Sequence, residues 1–395
     1  MSYIEKIKLD TNQSTFDVGG NLNVIKTKLF DGKILNEDKP LIFENTGTGT
    51  GTYGNSKYDM AVTAGQYLIR TSRRYLPYFS GDPQEVEFTF DNFANQAGVI
   101  KRVGYFSSNA VAPFDANFDG FYIESDGVNS TYRLVILRNG TEVLNKVWTE
   151  WAGYASLVGY DWNNFTVCLV DFLWLGGAGL RLQIMTPNGF INAHTYVHAG
   201  AAQDIFMLSP NHKLRYEIRS TTGSGSLHYI CSQVSTKGTT NQSGEQRSVH
   251  TSGLVTLANI GTKYPLKAIR KKSTHRDRSI KTIGVDGFVS SNTDILLLTL
   301  EFNPTLSAAL TYTDISNSAA QEATGNGTIT VTTAGTILWS KYITQNSVFQ
   351  PNILAEDFLS EIGISLANVS DQLVLCGTPR TTSITAYGNL SFKEY

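Results

Sequence analysis

Apolar and polar residues alternate with a period of two along much of this chain. In "EVEFTFDNF" Val86, Phe88 and Phe90 alternate with Glu85, Glu87 and Thr89. That is the pattern of a strand with one face in a core. "STYRLVILRNGTEVLNKVW" holds two such runs around Asn139-Gly140, a pair suited to the positive φ angles of a two-residue hairpin turn. "FTVCLVDFLWLG" is almost continuously apolar, as expected of a central strand covered on both faces. "KLRYEI" and "SLHYICSQVS" continue the rhythm, and "KTIGVDGFV", "DILLLTLEF", "GTITVTTAGTILWSKYI" and "DQLVLC" carry it toward the end. One segment, Ile353 to Gly363, fits a short helix stopped by Gly363. No fixed-period repeat is present, which argues against a solenoid or propeller. The first 66 residues are weakly patterned, and "GTGTGTYGN" (Gly47 to Asn55) reads as a polar loop, with no Lys-Ser/Thr behind it to make a phosphate cradle. The expected fold is all-β: a jelly-roll or concanavalin-like β-sandwich core over 67–240, a second β-rich domain over 241–395, little helix, and an N-terminal arm over 1–66 as a candidate docking segment.

"NGFINAHTYVHAGA" contains His194 and His198, four residues apart. On a helix that spacing lets two imidazoles share a zinc ion. Here "LRLQIM" precedes and Asn188-Gly189 offers a turn, so the segment reads as the second strand of a hairpin. Counting outward from that turn pairs Gln183 with His194 and Arg181 with Tyr196. On a strand the two histidines stand about 13 Å apart, beyond the reach of one metal ion.

Composition narrows the classes. The 395 residues carry a net charge of −2, with only 17% charged and 11% aromatic side chains. No global field steers the chain toward nucleic acid or an anionic membrane, and neither nucleic-acid binding nor membrane insertion is expected. Cys168, Cys231 and Cys376 are odd in number, with no CxxC, so no disulfide framework or cysteine zinc site is indicated and a reducing compartment is expected. The start has no basic-then-apolar leader pattern. The longest apolar stretch contains Asp171 and is too short to span a bilayer.

Four constellations could carry chemistry. "DANFDGFYIESD" matches a calcium-loop spacing, with Asp115, Asn117, Asp119 and Asp126 as oxygen donors, although "GFYIES" itself reads as a strand. Lys263 to Lys281 carries eight Lys/Arg against one Asp, including Arg270, Lys271, Lys272, Arg276 and Arg278. It is either a patch for an anionic partner or a solvated edge strand or loop. Trp148, Trp151, Tyr154, Tyr160 and Trp162 cluster within fifteen residues, as a sugar-stacking or partner-binding surface or as sandwich core. For catalysis there is no GxSxG, HExxH or helix-opening GxGxxG. Asp119, Glu124, Glu150, Asp161 and Asp171 could serve a glycosidase only if two of them faced each other. No catalytic residue is assigned, and no cofactor is expected apart from calcium at that loop.

Residues 67–240 resemble a group of tailed-bacteriophage virion proteins. The resemblance is carried, in order, by "TSRRYLPYFSGDPQEVEFTFDNF", "VIKRVGYFSS", "DGFYIESDG", "VDFLWLGGAGLRLQI", "AHTYVHA", "LSPNHKLRYEI" and "SGSLHYICSQVSTKG". It implies a non-enzymatic structural component of the particle, as a head fibre, decoration or tail-associated protein, assembled in the host cytoplasm. It also implies a homo-oligomer, with a trimer favoured, and contacts to other virion proteins through the N-terminal arm. The alternative is an adhesin that binds host surface glycans through the aromatic cluster, and a third class is a polysaccharide depolymerase.

Overall fold

The computed structural model describes residues 26–31, 42–108, 119–174, 178–237, 244–290, 295–344 and 361–395. The chain divides into two compact units, Met1–Gln242 and Ser243–Tyr395.

The first unit is a sandwich of two antiparallel sheets. Sheet I runs in the order Gly189–Val197, Gly179–Thr186, Thr166–Leu173, Gln84–Asp91, Gly225–Lys237, Lys57–Val62, Thr50–Gly54, with Lys26–Asp31 also pairing to Gly225–Lys237. Sheet II runs Thr141–Val147, Thr131–Arg138, Asp119–Asp126, Val99–Ser107, Leu214–Ser220, Tyr67–Ser72, Phe43–Gly47. Their inner faces meet through aromatic rings. Phe172 of sheet I lies 5.6 Å from Phe121 and 5.9 Å from Tyr105, and Tyr229 lies 4.6 Å from Tyr216 of sheet II. Val86, Phe88 and Phe90 are fully buried, so the alternation read from the sequence does set the inner face. Asp171, which interrupts the apolar run, is buried with its Oδ2 accepting from Arg181 Nε at 3.0 Å and Nη2 at 2.8 Å. Burial pushes its carboxyl above the ordinary range, against the pull of Arg181.

The expectation of a separate arm over 1–66 is corrected for the described part of that segment. Residues 43–62 supply three strands, one to sheet II and two to sheet I. The reason is a short alternation: Tyr58, Met60 and Val62 are all at most 5% exposed, between outward Lys57, Asp59 and Ala61. The stretch read as a polar loop is in part an edge strand, Thr50–Gly54, turned back by Asn55 and Ser56 at φ 51° and 59°.

The Asn139-Gly140 hairpin forms as read, with Arg138 paired to Thr141 and both turn residues at positive φ. The histidine hairpin forms, but its register differs. Thr186 pairs with Gly189, so the turn residues are Pro187 and Asn188. Gly189 takes φ 104° but Asn188 is not at positive φ, so the two-residue turn expected at Asn188-Gly189 does not form. A bulge at Ala193 adds a second shift, so Leu182 faces His194, Gln183 faces Asn192 and Arg181 faces Thr195.

The second unit pairs a small sheet with a larger one. Sheet III places Ile384–Glu394 between Ile280–Val289 on one side and Glu245–His250 and Val255–Leu257 on the other. Sheet IV runs Thr313–Asp314, Ala320–Thr324, Tyr264–Lys271, Gln372–Pro379, Leu296–Phe302, Thr336–Ile343. Leu266, Leu298 and Leu375 of sheet IV and Val285, Leu390 and Phe392 of sheet III are all buried in its core. The only helical turns among the described residues are Trp148–Glu150 and Tyr154–Leu157. The candidate helix at Ile353 to Gly363 lies mostly outside the described residues, and its last three residues are not helical. Among the described residues, no helix is long and apolar enough to cross a membrane.

Candidate functional site

A cleft of about 640 Å³ opens on the first unit where the ends of sheet I meet three turns. Its floor is a row across three strands: Thr50 pairs with Ala61, and Ala61 pairs with Ser226. One wall is the turn Thr63–Gln66, in which Gln66 Oε1 accepts from Thr63 N at 2.9 Å and Gly65 takes φ +77°. Another is Ser224, just past the turn that Ser220 Oγ closes by donating to Gly223 O at 2.8 Å. The third is the segment from Asn92 to Gln96. There Asn92 Nδ2 donates to Ser226 Oγ at 2.5 Å, and Gln96 Nε2 donates to Ser224 O. The side chains lining the cleft are hydroxyls, amides and small apolar groups, with no ionised group among them. Hydroxyls and amides each offer both a donor and an acceptor. The volume suits one or two small rings.

The Asn92–Gln96 wall is held from behind. Asn92 N donates to Asn163 O at 3.1 Å and Phe93 N to Trp162 O at 2.8 Å. Phe93 packs 5.9 Å from the Trp162 ring, which stacks on Tyr132 at 4.6 Å. Tyr132 Oη accepts from Asn95 N at 3.2 Å, and Asn95 Oδ1 accepts from Ser125 Oγ at 2.8 Å. Lys101, 1% exposed, donates its ammonium to Asn92 O at 2.5 Å and Ala94 O at 3.2 Å. Burial lowers the Lys101 ammonium to about 8. Asn92 itself sits at φ +56°, a conformation asparagine tolerates better than most residues.

Beside the cleft, on the same outer face of sheet I, four ionisable groups close on one another. His228 Nδ1 contacts Asp91 Oδ1, His228 Nε2 lies 3.6 Å from Asp59 Oδ1, and Lys57 Nζ contacts Asp91 Oδ2. The imidazole stands between the two carboxylates, and Lys57 shares Asp91 with it.

The aromatic residues singled out by sequence are brought together, but with different exposures. Trp162 and Trp151 are 2% and 3% exposed, and Trp151 Nε1 donates to Lys146 O at 3.0 Å. Direct contact with a ligand is therefore closed to these two, which is a correction to their reading as contact residues. Trp148, Tyr154 and Tyr160 are half-buried, with Trp148 packed edge-on to Tyr132 at 5.2 Å and Tyr154 at 5.3 Å. The cluster acts first as the buttress of the cleft wall.

The calcium-loop spacing does not close. Asp119 and Asp126 are the two ends of one strand, about 23 Å apart at roughly 3.3 Å per residue, so they cannot share an ion. Asp119 instead accepts from Leu208 N and Ser209 N at 3.0 Å, and Asp126 accepts from Val128 N at 2.9 Å. Asp115 and Asn117 lie outside the described residues. Among the described residues no group of three or more His, Cys, Asp or Glu is placed to hold a metal ion.

The basic run is not an edge strand. Tyr264–Lys271 is a central strand, between Ala320–Thr324 and Gln372–Pro379. Arg270 lies 4.0 Å over the Tyr312 ring and donates to Gln321 Oε1 at 2.7 Å. Lys271, 1% exposed, reaches Arg276 O at 3.3 Å, and Lys272 reaches Ile315 O at 3.0 Å. Arg276 is half-buried, and Arg278 is the exposed arginine of the run.

His194 and His198 lie on or just past a strand, as read. His198 Nδ1 lies 2.5 Å from Tyr196 Oη and its Nε2 faces Asp204 O. Burial, followed by the nearby Lys146, lowers the His194 imidazole below its ordinary value, with Glu150 opposing. The carboxylates considered for a glycosidase are individually engaged. Glu124 pairs with Arg102 at 2.7 Å and Arg133 at 2.6 Å, Glu150 pairs with Lys146 at 2.9 Å, and Asp161 caps its own turn at Asn163 N, 3.0 Å.

Sequence reading missed one grouping entirely. Ser107 Oγ lies 3.1 Å from His212 Nδ1, and His212 Nε2 lies 3.4 Å from Asp119 Oδ2. Ser107 and Asp119 are cross-strand partners, and His212 is fully buried. Both Asp119 oxygens also accept from the Leu208–Ser209 backbone, so the trio ties that loop to the end of sheet II.

No family model and no curated protein sequence matches the chain. Solved structures similar to it include a protein of unknown function from Shewanella oneidensis MR-1, with 13% identity, 62% of this chain and 98% of that one covered, and a TM-score of 0.36. A legume lectin-like domain from Entamoeba histolytica has 10% identity, 53% and 97% coverage and a TM-score of 0.35. Arcelin-5, a lectin-like defence protein from Phaseolus vulgaris, has 11% identity, 54% and 99% coverage and a TM-score of 0.36.

Proposed function

We propose that the chain is a non-enzymatic adhesin that recognises a neutral surface glycan through the cleft of the first unit. The observation that carries this reading is the lining. Thr50, Gln66, Asn92, Gln96 and Ser226 present hydroxyls and amides, and no charge, around a concavity of about 640 Å³. An open polar cleft of that kind favours a ligand rich in hydroxyls, because each of its groups needs a partner where the ligand displaces water. The walls are fixed before a ligand arrives by Lys101, Trp162 and the two capped turns, which reduces the ordering cost of binding. The binding is read as non-catalytic because His228 occupies the space between Asp59 and Asp91, where a hydrolytic pair would need its substrate.

The setting assigned is the surface or tail of a bacteriophage particle, supported by the ordered resemblance over residues 67–240. The test is a glycan array probed with the full chain and with Thr50→Ala/Ser226→Ala. Binding to neutral glycans that falls about tenfold in the variant supports the cleft. Equal binding by both proteins, or binding to anionic glycans alone, removes it.

A further inference from the structure

We infer that the second unit carries a carbohydrate-binding surface of its own: the outer face of sheet III, suited to a neutral polysaccharide chain lying flat along Ile384–Glu394. The inference stands apart from the cleft, since it rests on other residues in the other unit.

The observation begins with phase. In "VDGFV" and "AYGNL" the strand alternation turns glycine inward and the aromatic outward. Gly287 is paired with Gly388, and Phe288 with Tyr387. A Cβ on Gly388 would meet Leu375 Cδ2 at 2.9 Å and Leu266 Cβ at 3.1 Å, and one on Gly287 would meet Leu298 Cδ1 at 2.4 Å. The glycines let sheet III settle closely on sheet IV at this row. Phe288 and Tyr387 are left 41% and 39% exposed, with ring centroids 6.3 Å apart. Two large rings side by side there leave a contiguous apolar patch on the solvent face of the sheet, in addition to what the pair contributes across the strands.

What lies next to the rings gives the ligand its chemistry. The next row across the sheet is Asp286, Asn389 and His250, and the one after it is Gly284, Ser391 and Ser248. Asn389 Nδ2 donates to Asp286 Oδ2 at 3.1 Å, Ser248 Oγ donates to Asn389 Oδ1 at 2.7 Å, and Ser391 Oγ reaches Ser248 Oγ at 3.4 Å. The result is a level ladder of hydroxyl, amide and carboxylate groups. The rows are spaced about 7 Å apart. The apolar face of a pyranose can lie on an aromatic ring while its equatorial hydroxyls meet such a ladder. Both signs of charge border the face, Asp286 beside the rings and Lys281 paired with Lys393 beyond the serines, so neither an anionic nor a cationic chain is selected. An extended neutral glycan fits both the rings and the ladder.

The test is affinity electrophoresis of the full chain through native gels containing dextran, mannan, laminarin or soluble xylan. The expected result is retardation of the unaltered chain by at least one of the four. Phe288→Ala/Tyr387→Ala should weaken that retardation about tenfold, with an unchanged melting temperature. Ser248→Trp, which crowds the ladder and removes no packing, should weaken it as well. Thr50→Ala/Ser226→Ala should keep the part of the retardation that depends on the second unit. Free migration of the unaltered chain in all four gels overturns the inference. So does equal retardation of the unaltered chain and of both sheet III variants. If in that case Thr50→Ala/Ser226→Ala abolishes retardation, the cleft of the first unit stands and the second surface falls.

Discussion

Two aromatic groups in this molecule differ in sequence and behave oppositely to what that difference suggests. Residues 148–162 are dense in Trp and Tyr, yet Trp151 and Trp162 turn inward and the rest lean on them. Phe288 and Tyr387 are isolated in sequence, separated by nearly a hundred residues, yet they meet on an open sheet face. The difference is one of phase. Trp162 follows a turn and enters a gap behind the Asn92–Gln96 wall, whereas Phe288 and Tyr387 occupy the outward position of strands whose inward neighbours are glycine. Aromatic density marks where rings are used; only the strand partner and the neighbouring residue say which way they point.

The contrast can be broken by substitution, and the largest effect falls on the buried group. Trp162→Ala should lower the stability of the first unit by about 3–5 kcal/mol and loosen the cleft wall, as read by chemical denaturation. A loss below about 1 kcal/mol would mean that the ring is not the buttress described. Gly388→Ala should cost about 1–3 kcal/mol in the second unit, because its Cβ would press on Leu266 and Leu375. Stability within about 0.5 kcal/mol of the unaltered chain would contradict the close approach of sheets III and IV at that row.

Lys101 sharpens the comparison through pH. Its folded value is lowered to about 8 from the ordinary 10.5. Between those values the unfolded chain holds the proton and the folded chain releases it, so this group makes stability rise with pH across that window. Below pH 8 the full cost of the buried ammonium is present. Denaturation curves from pH 7 to 10.5 should therefore show a rising component that Lys101→Met lacks; identical pH profiles would show that Lys101 does not titrate there. The smallest effect is expected at the exposed pair. Phe288→Ala/Tyr387→Ala should change stability by less than about 1 kcal/mol, since much of each ring is already in water. A larger loss would make the rings structural.

Much of the fold was legible in alternation alone. Val86, Phe88 and Phe90 face the core as read, and the Asn139-Gly140 turn sits where its residues place it. The register of the 179–197 hairpin was not legible, because the turn falls one residue earlier, at Pro187 and Asn188, and the Ala193 bulge moves the pairing again. The strands of residues 43–62 were hidden by a Gly/Thr-rich stretch whose alternation is only three apolar residues long. The cleft was the least legible part. Thr50, Gln66, Asn92, Gln96 and Ser226 are ordinary polar residues from turns and strand ends scattered over the chain, and only the pairing of three strands brings them to one place. The basic run showed the converse: its composition is unusual, but a central strand position and the partners Tyr312, Gln321 and Ile315 absorb most of it.

The central claim is that the first unit holds a neutral glycan between Thr50, Asn92 and Ser226. It is met most directly by a crystal structure of the full chain soaked with a glycan that binds it on an array. The account predicts a sugar ring in the cleft, with its hydroxyls within hydrogen-bond distance of Asn92 and Ser226. An empty cleft with the glycan bound elsewhere on the first unit would contradict it.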